Sequence, residues 1–376
     1  MRGKPQLPWR IGWEIHGYHC RMVNPSGFTI SRGINISHWL SQDFGWVRRE
    51  EFLRRDDLAE LARLGFDHVR LPIDEKELRL PDGKPNEPEF DRLLGGIAWA
   101  REAGLRVIVD LHTLDSHHFN AANEGGHNTL WTDATAQRQF LDLWRDLSAR
   151  LGHLPVTDVA YEFLNEPVAD DHEDWNELVR RAYELLRELE PNRVCVVGPN
   201  LNQQPDFMPF LHVPAGDPNV ILSVHNYAPL ALTHYRANWT SFPSFAGSVR
   251  YPGSAMVDPA EWAALRAGGS ARLLADTADA LDDWGPERLR RLFAPAIDRA
   301  RELGLQLYCG EFGCLPTIDR AQRLAYYRDV TAVMASAGMA WAAWEWKGDF
   351  GIHVWKGPGE LDSPVDQELA EIISAH

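Results

Sequence analysis

The sequence predicts an α/β fold, a (β/α)8 TIM barrel, and three observations predict it. Eight short apolar runs rich in β-branched residues recur along the 376-residue chain. Segments with helical period separate them, most ending on a glycine. No G-x-G-x-x-G follows any run, which argues against the runner-up, a doubly wound open sheet.

The expected strands read RGINISHWL (32–40), FDHVRLPI (66–73), LRVIVDLH (105–112), DVAYEFLNEP (158–167), RVCVVGPN (193–200), VILSVHNYAP (220–229), LQLYCGEFG (305–313) and MAWAAWEWKG (339–348). Between them, RRDDLAELARLG stops at Gly65, FDRLLGGIAWAREAG at Gly104 and TDATAQRQFLDLWRDLSARLG at Gly152. DWNELVRRAYELLRELEP runs to Pro191, PERLRRLFAPAIDRARELG to Gly304 and TIDRAQRLAYYRDVTAVMASAG to Gly338, and PVDQELAEIISAH closes the chain. Glycine supplies the left-handed residue at which a helix stops, and the strand–helix alternation is expected eight times over. The whole of 1–376 is therefore expected to form one catalytic barrel domain. Residues 1–30 are expected to be a short N-terminal β-hairpin, turning at Asn24-Pro25-Ser26-Gly27, that caps the barrel floor. Residues 230–285 form a long insertion after strand six, rich in Trp and Tyr, expected to shape a cleft on the catalytic face.

Acidic residues outnumber basic ones 54 to 38, for a net charge of −16. That excess repels a phosphate backbone, so no nucleic-acid partner is expected. No apolar run reaches the ~18 residues of a membrane span, so no membrane partner is expected either. The N-terminus carries positive charge but no apolar stretch behind it, which predicts a cytoplasmic chain as written, or a secreted one if a leader was removed. Cys20, Cys195, Cys309 and Cys314 show no CxxC or zinc spacing and are expected to be reduced structural thiols. No cofactor is expected, and the chain is expected to act as a monomer.

In this fold the chemistry sits at the C-terminal ends of the strands. Those ends carry Arg70 on strand two, Asp110 and His112 on three, Asn165 and Glu166 on four, His225 and Tyr227 on six, Glu311 on seven, and Trp344, Glu345 and Trp346 on eight. Two glutamates at the ends of strands four and seven suggest a carboxylate pair, which glycoside hydrolysis needs: one to protonate the leaving oxygen, one to attack or to activate water. A strand's alternation places Glu345 opposite Trp344, so it is expected to face the helices as a paired charge.

Asn165-Glu166-Pro167 and Gly310-Glu311-Phe312-Gly313 resemble the signature of glycoside hydrolase family 5, the cellulase superfamily. VRLP around Arg70, DLH ending at His112, HNY from His225 to Tyr227, and Trp344 stand at that family's strands in that family's order. The resemblance spans roughly residues 30–350. It implies a retaining β-glycosidase with Glu166 as general acid/base and Glu311 as nucleophile, carboxyls about 5–5.5 Å apart. It implies a raised pKa for Glu166 and hydrogen-bond donors for Glu311, with Arg70 and Tyr227 the candidates. Asn165 is implied to bind the sugar 2-OH, His112 and His225 to complete the floor of the site, and Trp344 to lie under the reacting ring. The implied partner is a β-linked oligo- or polysaccharide, with β-1,4-glucan favoured over mannan, β-1,3-glucan and exo-acting modes.

Two other readings use the same barrel. A metal-dependent hydrolase would draw on the DLHTLDSHHFN cluster of Asp110, His112, Asp115, His117 and His118, but its spacing matches no tight ligand motif, and His117 and His118 are expected to be cleft-wall or loop residues instead. A carbohydrate-binding barrel without catalysis would have no need of both glutamates. The 15 tryptophans divide between core and platform. Trp99 and Trp144 are expected in the helical core. Trp39, Trp46, Trp131, Trp239, Trp344, Trp346 and Trp355 are expected on the catalytic face, where indoles stack on the C–H faces of sugars.

Overall fold

A computed structural model of the chain describes residues 25–43, 45, 48–120, 127–353 and 363–375. Eight parallel strands close into a barrel in sequence order: β1 (Arg32–Asn35), β2 (His68–Asp74), β3 (Arg106–Thr113), β4 (Val159–Glu162), β5 (Cys195–Val197), β6 (Val220–Asn226), β7 (Gln306–Phe312) and β8 (Ala340–Ala343). The barrel shuts where Gly33 of β1 lies opposite Ala342 of β8. Six strands fall inside the runs expected for them, and β2 and β3 run one residue past theirs, to Asp74 and Thr113, because strands buried on both faces read as continuous apolar stretches.

The helices are α1 (Arg49–Phe52), α2 (Arg55–Arg63), α3 (Glu75–Leu78), α4 (Glu87–Glu102), α5 (Ala134–Leu151), α6 (His172–Leu189), α7 (Leu230–Thr233), α8 (Pro259–Arg266), α9 (Ala271–Asp276), α10 (Pro286–Leu303), α11 (Arg320–Ser336) and α12 (Gln367–Ser374). Aspartates open three of the long ones: Asp133, Asp171 and Asp319 each accept a backbone N–H of the first turn. Gly304 ends α10 in the left-handed conformation at φ 66°. The eightfold alternation fails at one place. Only a 3-10 helix, Pro205–Phe210, follows β5. Pro205, Pro209, Pro214 and Pro218 crowd this connection, and prolines, which lack an N–H, disfavour the interior of an α-helix.

Two cores result. One fills the barrel itself with Ile108, Ala160, Val194, Val196, Ile221, Tyr308, Ala340 and Ala342, closed by Phe28 and Ile30 from the segment before β1. The floor cap thus comes from Phe28 and Ile30. Residues 25–26 do turn; the arm expected before them lies outside the described residues, and residues 27–30 after them form no strand. The second core lies between the strands and the helices and holds most of the large side chains. Cys195, Cys309 and Cys314 are buried free thiols, and Cys20 lies outside the described residues. Among the described residues no helix is long and apolar enough to cross a membrane.

Trp39 belongs to this second core, which corrects its expected place on the catalytic face. It is 2% exposed and its indole lies against Gly96 of α4, where a Cβ would come within 2.4 Å of the ring. Trp346 is also buried, edge-on to His353. Trp131 is half-buried and donates to the Val168 carbonyl. Trp46 and Trp355 lie outside the described residues.

Candidate active site

Parallel register lines up the strand ends across the barrel. Asn35 stands beside Arg70, Asp110 beside Glu162, and His225 beside Glu311. Arg70 is fully buried at the centre. Its Nε donates to Glu162 Oε2 at 2.6 Å, and its Nη1 donates to Asn35 Oδ1 at 3.1 Å and to Glu311 Oε1 at 2.7 Å. Its Nη2 donates to Asn165 Oδ1 at 2.8 Å and lies 3.1 Å from Asp110 Oδ2. A buried guanidinium requires partners of this kind, because an unpaired charge in the interior is very costly.

Glu166, in the loop after β4, and Glu311, on β7, face one another. One oxygen of each and a ring nitrogen of His225 all lie within 4.8 Å of one another. The two carboxyls stand in different surroundings. Glu311 Oε1 accepts from Arg70 and Oε2 accepts from the Tyr227 phenol at 3.0 Å. Glu166 has His225 Nδ1 at 2.9 Å from Oε1 and a long bond from Asn202 Nδ2, 3.3 Å, to Oε2. Burial pushes the Glu166 carboxyl up to about 7. Burial also raises Glu311, against the pull of His225 and Arg70. Burial lowers His225 to about 4 and lowers His112, so both rings are neutral near pH 7. A carboxyl raised to about 7 thus faces one held by two donors.

The backbone here is unusual as well. Glu166 has φ 43°, and Leu201, Asn202 and Gln203 are left-handed in succession at φ 62°, 59° and 52°. Such residues cost roughly 1–3 kcal/mol each and concentrate at functional sites. Gln203 holds the Glu166 loop, accepting its backbone N–H at 2.8 Å.

Around this pair opens a cleft of about 1130 Å³. His112, Glu166, His225, Tyr227, Glu311 and Trp344 all line it. Trp344 lies parallel to His112, centroids 5.6 Å apart and planes 11° apart. His112 Nδ1 is 2.8 Å from Asp110 Oδ2, while His112 Nε2 and Asn165 Nδ2 are buried without a protein partner. The insertion forms one wall with His234, Asn238, Trp239 and α9, and Trp239 is 43% exposed.

Two expectations need correction. His117 is not on the cleft wall: it is 1% exposed, its Nε2 accepts the Val168 N–H at 3.2 Å, and burial lowers it to about 3. It braces the loop after β4, while its neighbour His118 does line the cleft. Glu345 does not face the helices. β8 ends at Ala343, so strand alternation no longer governs Glu345, which lines the cleft and pairs with His38 Nε2 at 3.2 Å. Asn35, Asp110, Glu162 and Gln203 form the buried bed of the site and were not assigned roles in it from sequence. Glu162 did leave a trace, as an acid inside the apolar run DVAYEFL.

The Asp/His cluster after β3 does not converge. Asp110 faces Arg70, His117 faces Val168, and His118 faces the cleft. Among the described residues the only grouping with ion-like spacing is Glu166, His225 and Glu311. The Arg70 guanidinium bonded to Glu311 places a fixed positive charge where a cation would sit, so this donor set fits a metal poorly.

The family model for cellulase, glycosyl hydrolase family 5, matches residues 23–350. Endoglucanase C of Acetivibrio thermocellus is 28% identical over 354 residues, covering 91% of this chain and 97% of the relative. Cellodextrinase A of Ruminococcus flavefaciens is 29% identical over 315 residues, covering 83% and 84%. Cel5A of Thermotoga maritima, solved with mannotriose, superimposes with a TM-score of 0.72 at 22% identity over 93% of this chain and 98% of that one, a likeness of fold. With the match running through the strands that carry Arg70, Glu166, Glu311 and Trp344, the chain belongs to the cellulases of glycoside hydrolase family 5.

Proposed function

We propose that the protein hydrolyses β-1,4-linked glucan or gluco-oligosaccharides by double displacement with retention. One observation carries this reading: two glutamates share a cleft in opposite environments, Glu166 raised to about 7 by burial and Glu311 held by Arg70 and Tyr227. Glu311 attacks the anomeric carbon while Glu166 gives its proton to the departing glycosidic oxygen. Glu166 then takes a proton from water, the water oxygen bonds to the anomeric carbon, and the Glu311 ester is released. Asn165 Nδ2 and His112 Nε2, buried and unpartnered, are available to the hydroxyls of the reacting sugar. Trp344 supplies the flat face beneath that sugar, and Trp239 a second platform on the insertion.

The relatives named endoglucanase and cellodextrinase support a glucan substrate. The Thermotoga enzyme solved with mannotriose and with cellobiose keeps mannan as the alternative. A panel of cello-, manno- and laminari-oligosaccharides, with products resolved by size and anomer, tests the reading. Cello-oligosaccharides should be cleaved fastest, with β-anomers formed first. Initial α-anomers would overturn the mechanism, and faster cleavage of manno-oligosaccharides the substrate.

A further inference from the structure

Beneath the cleft, a continuous chain of buried groups joins the Glu311 carboxyl to the Glu166 backbone. Glu311 Oε1 accepts from Arg70 Nη1 at 2.7 Å, and Arg70 Nε donates to Glu162 Oε2 at 2.6 Å. Glu162 Oε1 accepts from Gln203 Nε2 at 3.1 Å, and Gln203 Oε1 accepts the Glu166 N–H at 2.8 Å. Arg70, Glu162 and Gln203 are each 0% exposed. A Cβ on Gly198 would lie 2.3 Å from Gln203 Nε2, so the amide is clamped from the β5 side as well.

From this geometry we infer that Glu162 and Gln203 are positioning residues of the reaction, which couple the nucleophile to the acid/base and keep Glu166 a proton donor. The inference rests on the roles given above to Glu166 and Glu311. Its logic is electrostatic. Arg70 carries one positive charge and lies between several acids. In the resting enzyme that charge also reaches Glu166, where it favours loss of the proton that the first step needs. A second buried anion, Glu162, takes up that field permanently. Gln203 fixes Glu162 by one end of its amide and the Glu166 backbone by the other, so position and charge are set by one side chain.

The groups around Glu166 are Arg70 from β2, Asp110 and His112 from β3, Glu162 from β4, Asn202 after β5, His225 and Tyr227 from β6, and Glu311 from β7. His112 and His225 are neutral near pH 7, and burial raises Asp110 well above its ordinary value. Glu162 remains below its own ordinary value despite burial, through Arg70 and the neighbouring donors. It is therefore an anion that opposes Arg70 at Glu166 before the first step, alongside Glu311.

The test is the pH profile of kcat/KM on cello-oligosaccharides for the wild type and for Glu162→Gln. The amide keeps the shape and loses the charge. Glu166 should then release its proton more readily, and the alkaline limb should move down by about 1 pH unit. A Glu162 that serves packing alone would lower the melting temperature and leave the limb in place, and an unmoved limb overturns the inference. Gln203→Leu provides a second variant, expected to lose kcat at least tenfold with little change in KM; a wild-type kcat would overturn its part. An aryl cellobioside with a strongly acidic phenol needs no proton from Glu166, so Glu162→Gln should approach wild-type rates on it. An equal loss on both substrates would overturn the link to the acid. If the wild type cleaves neither substrate, the functional reading fails instead.

Discussion

The Tyr227 phenol donates to Glu311 Oε2 at 3.0 Å, on the oxygen that Arg70 leaves free. Two donors, one charged and one neutral, thus divide the two oxygens of the nucleophile. Removing the phenol should cost a hydrogen bond to an ionised group, about 1.5–3 kcal/mol or roughly ten- to a hundredfold in rate. Tyr227→Phe should lower kcat by that factor. Loss of a donor to the charged form raises the Glu311 carboxyl, so the acid limb of the pH profile should move up. Steady-state kinetics from pH 4 to 7 checks both, and an unmoved acid limb would count against Glu311 as the group responsible.

The acid/base assignment makes a prediction of the opposite sign. Glu166 must hold a proton to serve the first step, and burial sets it at about 7. Activity should therefore fall as pH rises through about 7, because the fraction of protonated acid falls. Glu166→Gln should abolish this limb. It should cost several powers of ten on cello-oligosaccharides and far less on an aryl cellobioside whose phenol leaves unaided. Retention of the limb in Glu166→Gln would assign it to another group.

The tryptophans separate by the same kind of comparison. Trp39, buried against Gly96, is part of the core, and Trp239, 43% exposed at the cleft, is not. Trp39→Ala should cost about 3–5 kcal/mol of stability. Trp239→Ala should leave the melting temperature within a degree or two and raise KM for longer oligosaccharides. Urea unfolding and a cellodextrin length series would show this, and a matching loss of stability in both would sink the distinction.

This division marks what was legible in the sequence and what was not. The strands were legible because each is apolar on both faces, and Glu166 and Glu311 because each ends such a strand beside a proline or a glycine. Trp39 was misplaced because position in a loop does not reveal whether another element packs over it, as α4 does at Gly96. His117 was misplaced for the same reason. Glu345 was misplaced because alternation was carried past Ala343, the last residue of β8. Gln203 left no signal, since its role depends on three successive left-handed residues that no local pattern announces. The proline-rich β5–β6 connection, by contrast, carried its warning in plain view.

His38 and Glu345 provide a stability prediction. Burial opposes the charge on His38, but Glu345 and the Gln42 carbonyl outweigh it and lift the imidazole from 6.5 to about 9. A folded-state value above the unfolded one means stability that is fully present below pH 6.5 and lost as pH rises through about 9. Burial raises Glu345 too, which offsets part of the gain. The difference in unfolding free energy between wild type and His38→Gln should shrink across that window. Urea titrations at pH 6, 7.5 and 9 measure it, and a constant difference would show that the pair is not ionised.

The choice between glycosidase and metal-dependent hydrolase turns on Arg70. A catalytic cation would need the oxygens of Glu166 and Glu311 and a nitrogen of His225, which alone among the described residues have the spacing for one. Arg70 Nη1 is 2.7 Å from Glu311 and fully buried, and no solvent screens its charge there. Two like charges at such range in a dry interior repel by several kcal/mol even at an effective dielectric of about 20. The site is therefore built for a proton and an oxocarbenium-like sugar, whose charge is diffuse and transient. Protein dialysed against excess EDTA should keep its full rate on cello-oligosaccharides. Loss of activity that a single divalent ion restores would reverse the conclusion, and would require Arg70 to move aside when the ion binds.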